Sequence, residues 1–340
     1  MDRKRVRVVK RRKRRLRRLL LVVIILFLSV IGFGVYLAYQ TLQAASDSYD
    51  DLGRDKSDLR DDYVSISTDP VSILLMGIED YQDDSGRSDT LMVATFNPDD
   101  ERLKLLSIPR DTRVEIAGRG TEEKINHAYA YGGKRMTIET VENFLEIPID
   151  YYATVNFDAF KNIVDILGGI TVDVPFDFKQ NSDDRVAEKL QFYEGEMDLD
   201  GRYALAYARM RLEDPRGDIG RNERQQQVIK AIIDKAMSAS TITKVDDLVQ
   251  EIGSNVETNM RVREGLAFFK EYSDFNVSKI DQLKLETYTE IINGLDYQIA
   301  EAESLEEVKS ELRRHLEIEQ TTAYTETPNE QEEAQGENLE

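Results

Sequence analysis

The chain has 340 residues, 41% of them hydrophobic, which suits one large or two small globular domains and excludes a wholly disordered protein. Its formal net charge of −20 combines two opposite parts: residues 1–18 hold 12 Lys and Arg against one Asp, and the remaining 33 bases and 64 acids give −31. The chain contains no cysteine, which excludes disulfides, thiolate nucleophiles and thiolate metal ligands.

An uncharged run of 21 residues, 19–39, directly follows the basic block. A helix of this length, at about 1.5 Å per residue, crosses a hydrocarbon core of about 30 Å. The positive-inside rule places residues 1–18 in the cytoplasm and the chain after about residue 40 outside. We therefore expect a single-pass protein of the cell membrane with an extracellular C-terminal domain. A cleaved signal peptide, whose apolar core usually spans about 7–15 residues, is the alternative.

The basic residues 1–18 have two interpretations. One is a nucleic-acid-binding arm, and the other is a topology signal that also attracts anionic lipid headgroups. Because the block adjoins the apolar run, the second interpretation explains it fully. We expect the membrane as its partner and no nucleic acid.

Strand and helix signals alternate after the apolar run. Residues 40–69, rich in Asp and Ser, indicate a juxtamembrane stalk. Short apolar runs then predict strands at 71–77, 90–96, 103–108, 151–156, 170–174 and 283–288. Amphipathic stretches predict helices at 124–131, 135–145, 157–167, 203–211, 222–239, 244–252, 262–271 and 304–316. This alternation predicts a layered α/β domain over residues 70–318. Residues 319–340 carry no Lys or Arg and are expected to form an acidic disordered tail.

Acidic residues border the loop between the first two predicted strands. Glu79 and Asp80 follow the first strand, and the string SGRSD, ending at Asp89, precedes the second. Loops at strand ends often carry ligand sites in α/β folds, and Mg²⁺ normally takes one or two carboxylates with phosphate oxygens and water. Ordinary turn chemistry explains the same residues.

Arginines form two further clusters. Arg110 follows a predicted strand and a proline, where its guanidinium either grips a phosphate or pairs with Asp111 in the loop. The denser cluster holds six arginines within 23 residues: Arg202, Arg209, Arg211, Arg216, Arg221 and Arg224. Arg221 and Gln225 would share one face of a helix near its N-terminus, which favours anions. A helix surface with ion pairs is the alternative.

Seven strings, in order over about residues 71–235, resemble the LytR-CpsA-Psr family: LLMGIED, GRSDTLMVATFNP, LLSIPRDT, KINHAYAYGG, VNFDAF with ILGGITVDVP, LDGRYALAYARMR and DPRGDIGRNERQQQVI. The resemblance implies a three-layer α/β/α domain with a central mixed sheet and an apolar pocket for a lipid tail. It also implies a membrane-anchored phosphotransferase that uses Mg²⁺ or Mn²⁺. Such an enzyme moves an anionic glycopolymer, such as wall teichoic acid or capsule, from undecaprenyl pyrophosphate to peptidoglycan.

The resemblance also implies a role for each matching residue. The metal-binding Asp of the family's GRSD motif matches Asp89, and the other acidic ligand falls on Glu79, where the family has Asp. Glu79 would shift the metal or coordinate it through a water, or Asp80 would take its place. The positions that contact pyrophosphate match Arg87, Arg110, Arg209, Arg211, Arg221 and Gln225. Catalysis is expected from Arg110, Asp111, Arg209 and Arg211, with Asp111 either as general base or as support for Arg110.

The lipid pocket and the reaction leave alternatives open. Candidates for the pocket wall are Phe157, Phe160, Ile163, Val164, Ile166 and Leu167, whose spacing equally fits the core face of a helix. A non-catalytic polyprenyl-phosphate-binding protein and a polyprenyl pyrophosphatase would use the same arginines. A transcriptional regulator is suggested only by the basic N-terminus and conflicts with the strong negative charge of the folded part.

Overall fold

The computed structural model describes residues 49, 52–54, 56–78, 88–183, 189–238, 241, 244–272 and 275–318. The predicted transmembrane segment over 19–39, the acidic tail, Glu79 and Arg87 therefore lie outside the described residues. Within those ranges, no helix is both long and apolar enough to cross a bilayer.

A six-stranded mixed sheet forms the centre of the domain, in the order β11-β6-β1-β2-β3-β12. Its strands are β1 (Val71–Ile78), β2 (Thr90–Asn97), β3 (Arg102–Ile108), β6 (Tyr151–Asn156), β11 (Val256–Thr258) and β12 (Ile280–Leu283). β1 runs parallel to β6 and antiparallel to β2, and β12 runs parallel to β3. The predicted α/β fold with a central mixed sheet is confirmed.

Four two-stranded antiparallel pairs surround the central sheet. They are β4 (Arg113–Ile116) with β5 (Thr121–Lys124), β7 (Ile170–Val174) with β10 (Gly195–Leu199), β8 (Phe178–Gln180) with β9 (Leu190–Phe192), and β13 (Thr287–Ile292) with β14 (Leu295–Ala300). The described residues also form seven α-helices: α1 (His127–Leu145), α2 (Phe157–Leu167), α3 (Gly201–Arg209), α4 (Asp218–Ala236), α5 (Val245–Asn255), α6 (Val262–Glu271) and α7 (Ala302–His315).

Helices pack on both faces of the central sheet because its strands alternate apolar side chains between the faces. Leu74 and Val93 point to the face covered by α1 and α7, in one buried cluster with Val141 of α1. Leu75 and Met92 point to the opposite face, where α4 packs through Ile229. The site described below lies on this second face.

Two predicted elements differ from the structure for local reasons. The helix predicted from Lys124 begins at His127, because residues 121–124 pair with β4 as a strand. The strand predicted over 283–288 is divided between β12 and β13. The predicted break at Gly132-Gly133 is present as a kink inside α1, where Gly133 has φ 60°.

Part of the segment predicted as a stalk packs against the domain. Arg54 donates to both carboxylate oxygens of Glu142 on α1, at 2.8 and 2.9 Å, and the Ser57 hydroxyl donates to the same carboxylate at 2.6 Å. Arg60 pairs with Asp150, and Ile66 is fully buried. The packed domain therefore begins before β1.

Removing the Glu142 carboxylate should destabilise the domain, because it leaves the half-buried Arg54 unpaired. Glu142→Ala is expected to cost about 3 kcal/mol of unfolding free energy, measured by urea denaturation. Glu139→Ala, which removes an exposed i,i+4 pair with Arg135 on the same helix, should cost less than about 1 kcal/mol. Equal losses in the two variants would contradict this role of Glu142.

Candidate active site

A cavity of about 440 Å³ opens at the edge of the central sheet where β1 ends and β2 begins. Gly77, Asp89 and Thr90 line it from the sheet, and α3 and α4 close it from above. Its volume falls in the range of about 300–1,000 Å³ that is typical of small-molecule sites. The end of β1 and the start of β2 therefore meet at this cavity.

Among the described residues, four of the predicted arginines line this one cavity together with one carboxylate: Arg110, Arg209, Arg211 and Arg221, with Asp89. Arg110 Nη1 donates to Asp89 Oδ1 at 2.7 Å. Residues that are far apart in the sequence are thus brought together as predicted. The excess of positive charge suits an anion with several oxygens.

Arg221 is the most buried of the four, with 9% of its side chain exposed. Burial lowers its pKa, and the nearby charges of Arg110 and Arg211 lower it further. The Nε atoms of Arg110 and Arg221 are buried without hydrogen-bond partners among the described residues. Guanidinium groups that lie near one another and have buried donors without hydrogen-bond partners favour the binding of a polyanion.

Asp218, at the start of α4, was missed by the sequence analysis. Its Oδ1 lies 3.2 Å from Arg221 Nη2 and 3.6 Å from Arg211 Nε. One carboxylate therefore holds two cavity arginines side by side. Asp218 lies three residues before Arg221, and residues at this spacing share a helix face. This spacing was the sequence signal that could have identified Asp218.

Arg224 has a different position from the other arginines of its cluster, because it is fully buried behind the cavity. It donates to Asp214 and to the carbonyl of Met210, so it ties the end of α3 to the start of α4. Gly220 allows the close approach, since a Cβ there would lie 1.8 Å from Asp214 Oδ2. This contact fixes the loop that carries Arg211.

Apolar side chains form the remaining wall of the cavity. They come from β1, β2, β6, α2, α3 and α4 and include Leu75, Met92, Phe157, Phe160, Leu205 and Val228. Of the six residues considered for this wall from the sequence, only Phe157 and Phe160 line the cavity, whereas Val164 and Leu167 are buried in the core. Arg209 lies over the Phe157 ring at 4.5 Å, which joins the charged and apolar parts.

Two further predicted residues occupy different positions. Gln225 lines the cavity and donates to the Thr90 hydroxyl at 3.0 Å. Asp111 does not line it: its Oδ1 accepts from Lys124 at 2.8 Å and its Oδ2 lies 3.7 Å from Arg110 Nε. This geometry favours support of Arg110, while the catalytic role of Asp111 stays a prediction.

The carboxylate oxygens of Asp89 suit a divalent cation that also binds phosphate. Its side chain is 40% exposed, and only Oδ1 is held by Arg110. Mg²⁺ commonly binds through one or two carboxylates, substrate phosphates and water. The described residues contain no group of three metal-ligating side chains, so a cation here would need oxygens from the substrate.

The arginines and the apolar wall thus share one cavity of this α/β domain. The chain belongs to the LytR_cpsA_psr family, whose model matches residues 35–314.

Named relatives agree with this assignment. The chain is 50% identical over 297 residues to the polyisoprenyl-teichoic acid–peptidoglycan teichoic acid transferase TagV of Bacillus subtilis, covering 85% of this chain and 76% of TagV. It is 45% identical over 295 residues to the transferase TagU of Halalkalibacterium halodurans, covering 86% and 94%. The crystal structure of B. subtilis TagV matches with a TM-score of 0.67 at 50% identity, covering 74% of this chain and 99% of that one. The structure of TagT bound to LIIa-WTA matches with a TM-score of 0.66 at 34% identity, covering 78% and 98%.

Arg221→Met should weaken binding of a short polyisoprenyl pyrophosphate about 10–100-fold, because it removes a charged donor from the cavity. Isothermal titration calorimetry measures the dissociation constant. Arg216→Met is the matched control, since Arg216 is half-exposed on the adjoining loop and pairs with Glu223 outside the cavity. Equal weakening in both variants would indicate that general charge, and not the cavity, governs binding.

The Asp214–Arg224 pair should make the domain sensitive to acid. Burial acts to raise the pKa of Asp214, but the hydrogen bonds from Arg224 and from the Arg216 backbone outweigh it and hold this pKa below its usual value. The pair therefore stabilises the fold above about pH 4, and this stability is lost as the pH falls through the lowered pKa.

Asp214→Asn should cost about 3 kcal/mol at pH 7 and lose less further stability between pH 5 and pH 3 than the unmodified chain, measured by urea denaturation. Glu213→Gln, at an exposed neighbouring position, should leave the acid response unchanged. An unchanged acid response in Asp214→Asn would contradict the role of this pair.

Proposed function

We propose that this domain is a phosphotransferase that moves an anionic glycopolymer, teichoic acid, from a polyisoprenyl pyrophosphate carrier to peptidoglycan. The observation that carries the proposal is the single cavity in which four arginines adjoin an apolar wall. A pyrophosphate joined to an isoprenoid chain needs both surfaces at once. The enzyme names of TagV and TagU, at 50% and 45% identity, support the same reaction.

The donor would bind with its pyrophosphate among Arg110, Arg209, Arg211 and Arg221 and with its isoprenoid chain along Phe157 and the other apolar residues of the cavity. Arg87, outside the described residues, is proposed to join the arginines. Gln225 would add an amide near the phosphates while it is held by Thr90. Each guanidinium provides a planar pair of donors that matches phosphate oxygens.

In the transfer step, an acceptor hydroxyl oxygen would attack the phosphorus that carries the polymer. A new oxygen–phosphorus bond forms, the bond from that phosphorus to the bridging oxygen breaks, and polyisoprenyl phosphate leaves with the bridging oxygen. The hydroxyl proton passes to a base, for which Asp111 is the candidate. Negative charge grows on the leaving oxygen, and arginines already in place stabilise it without reorganisation.

We also propose Mg²⁺, or Mn²⁺, at Asp89 with Glu79 as the second protein ligand. Bound there, the cation would neutralise phosphate oxygens in the transition state. Asp89 then has two roles, since it also orients Arg110 at 2.7 Å. The longer side chain of Glu79, where the family has Asp, would reach the ion directly or through water.

The proposed location of the enzyme follows from its lipid substrate. The uncharged run over 19–39 would anchor the chain in the cell membrane, with residues 1–18 in the cytoplasm and the catalytic domain outside. An isoprenoid carrier resides in that membrane and peptidoglycan lies beyond it. The anchor would keep the cavity within reach of both substrates.

Asp89→Asn should lower the transfer rate about a hundredfold, because it keeps an oxygen for Arg110 but removes the charge that would bind the cation. The assay incubates the full-length chain in nanodiscs with a lipid-linked polymer, peptidoglycan and Mg²⁺. Covalent polymer–peptidoglycan adducts are counted by mass spectrometry. Asp99→Asn is the control, since Asp99 is an exposed carboxylate just beyond the opposite end of β2.

The same assay separates the alternatives. Release of polyisoprenyl phosphate without an adduct would identify a pyrophosphatase. Donor binding without release of either product would identify a non-catalytic carrier-binding protein. Full transfer activity in Asp89→Asn would overturn the role of the cation.

A further inference from the structure

A second cleft, of about 200 Å³, lies at the same edge of the sheet as the arginine cavity. Ser107 and Pro109 line it from the end of β3, and Asn222 and Gln226 line it from α4. Residues 282–287, which connect β12 to β13, form the opposite wall. None of the residue roles described above uses this cleft.

The second cleft directly adjoins the arginine cavity. Met92, which lines the cavity, is paired with Ser107, which lines the cleft, in the β2–β3 ladder. The paired residues Met92 and Ser107 lie one strand spacing apart, or about 5 Å. Arg110 lines the cavity and the preceding Pro109 lines the cleft.

The first turns of α4 divide the two sites. Arg221 and Gln225 face the arginine cavity, whereas Asn222 and Gln226 face the second cleft. Each pair is four residues apart and therefore shares one helix face. A ligand in the cleft would thus lie beside the turn that presents Arg221.

A buried hydroxyl at the cleft has no partner. Ser107 is 7% exposed, and its Oγ makes no hydrogen bond among the described residues. By strand alternation, Ser107 points to the same face as Leu105, which is the face covered by α4 and the cleft. Buried polar atoms in native proteins nearly always have a hydrogen-bond partner. A ligand atom in the cleft would supply the partner that Ser107 Oγ lacks.

The two sites differ in charge. Among the described residues, the arginine cavity holds four arginines against one aspartate, whereas both glutamates of the second cleft are ion-paired, Glu223 with Arg216 and Glu286 with Lys284. The cleft also offers a serine, an asparagine, a threonine and glutamines beside the apolar Pro109 and Leu285. It therefore presents no excess of positive charge to an anionic polymer, while an uncharged sugar ring finds hydrogen-bond partners and an apolar surface.

We infer that the second cleft binds an uncharged acetamido-sugar segment of the acceptor glycan and directs its hydroxyl toward the phosphate held by Arg110 and Arg221. This inference rests on the proposed transfer reaction. The second cleft is then the surface that recognises the acceptor, and the anionic donor and the neutral acceptor bind at separate sites.

Two substitutions on opposite walls test the cleft: Asn222→Trp and Thr287→Trp. Each should raise the KM for an uncrosslinked peptidoglycan glycan oligomer about tenfold or more by filling the cleft. The dissociation constant for the polyisoprenyl pyrophosphate donor should stay within about twofold, since neither residue lines the arginine cavity. Asp234→Ala, at an exposed position further along α4, is the matched control.

Direct titration of the glycan oligomer into the full-length chain in nanodiscs makes the test independent of catalysis. If the unmodified chain binds the oligomer and both tryptophan variants lose that binding, the inference holds even when no polymer is transferred. Unchanged oligomer binding in both variants would overturn it. Displacement of the oligomer by free anionic polymer would also overturn it, because the cleft would then belong to the donor.

Discussion

The structure depends on holding several guanidinium groups together in one partly buried cavity. Like charges at this distance repel, and repulsion is stronger where water is scarce. Carboxylates beside the arginines make the arrangement stable: Asp89 holds Arg110, and Asp218 holds Arg211 and Arg221. Among the described residues these carboxylates are fewer than the arginines, so that part of the cavity keeps a positive charge for an anionic ligand.

This local charge lies in a chain that is otherwise strongly acidic. Outside residues 1–18 the formal charge is −31, which would repel a polyanionic substrate at long range. Salt screens such effects beyond about 10 Å at 0.1 M ionic strength, whereas contacts inside the cavity are screened much less. The arginines of the cavity, led by the buried Arg221, would therefore govern the binding of an anion despite the negative charge of the surface.

Much of the fold and part of the site were predictable from sequence. Apolar runs identified β1, β2 and β3, whereas the choice of Asp89, Arg110, Arg209, Arg211 and Arg221 came from the family resemblance. Residue patterns alone could not separate Arg221 from Arg224, which lie three residues apart on one helix. Their difference comes from packing, because Arg224 is buried against Asp214 while Arg221 reaches the cavity. The apolar wall was equally hidden, since it gathers residues from six elements whose local patterns are those of an ordinary core.

The arrangement of the cavity also determines which phosphorus would react. An isoprenoid chain along the apolar wall places the lipid-proximal phosphate at the junction marked by Arg209 and Phe157, where charged and apolar surfaces meet. The distal phosphate, which carries the polymer, then lies toward Arg110 and Arg221, beside the second cleft. In the proposed reaction, attack from that side would cleave the bond between the two phosphates and leave one phosphate on the carrier. The polymer would then reach the acceptor through a phosphodiester, and the lipid product would stay against the apolar wall until it returned to the membrane.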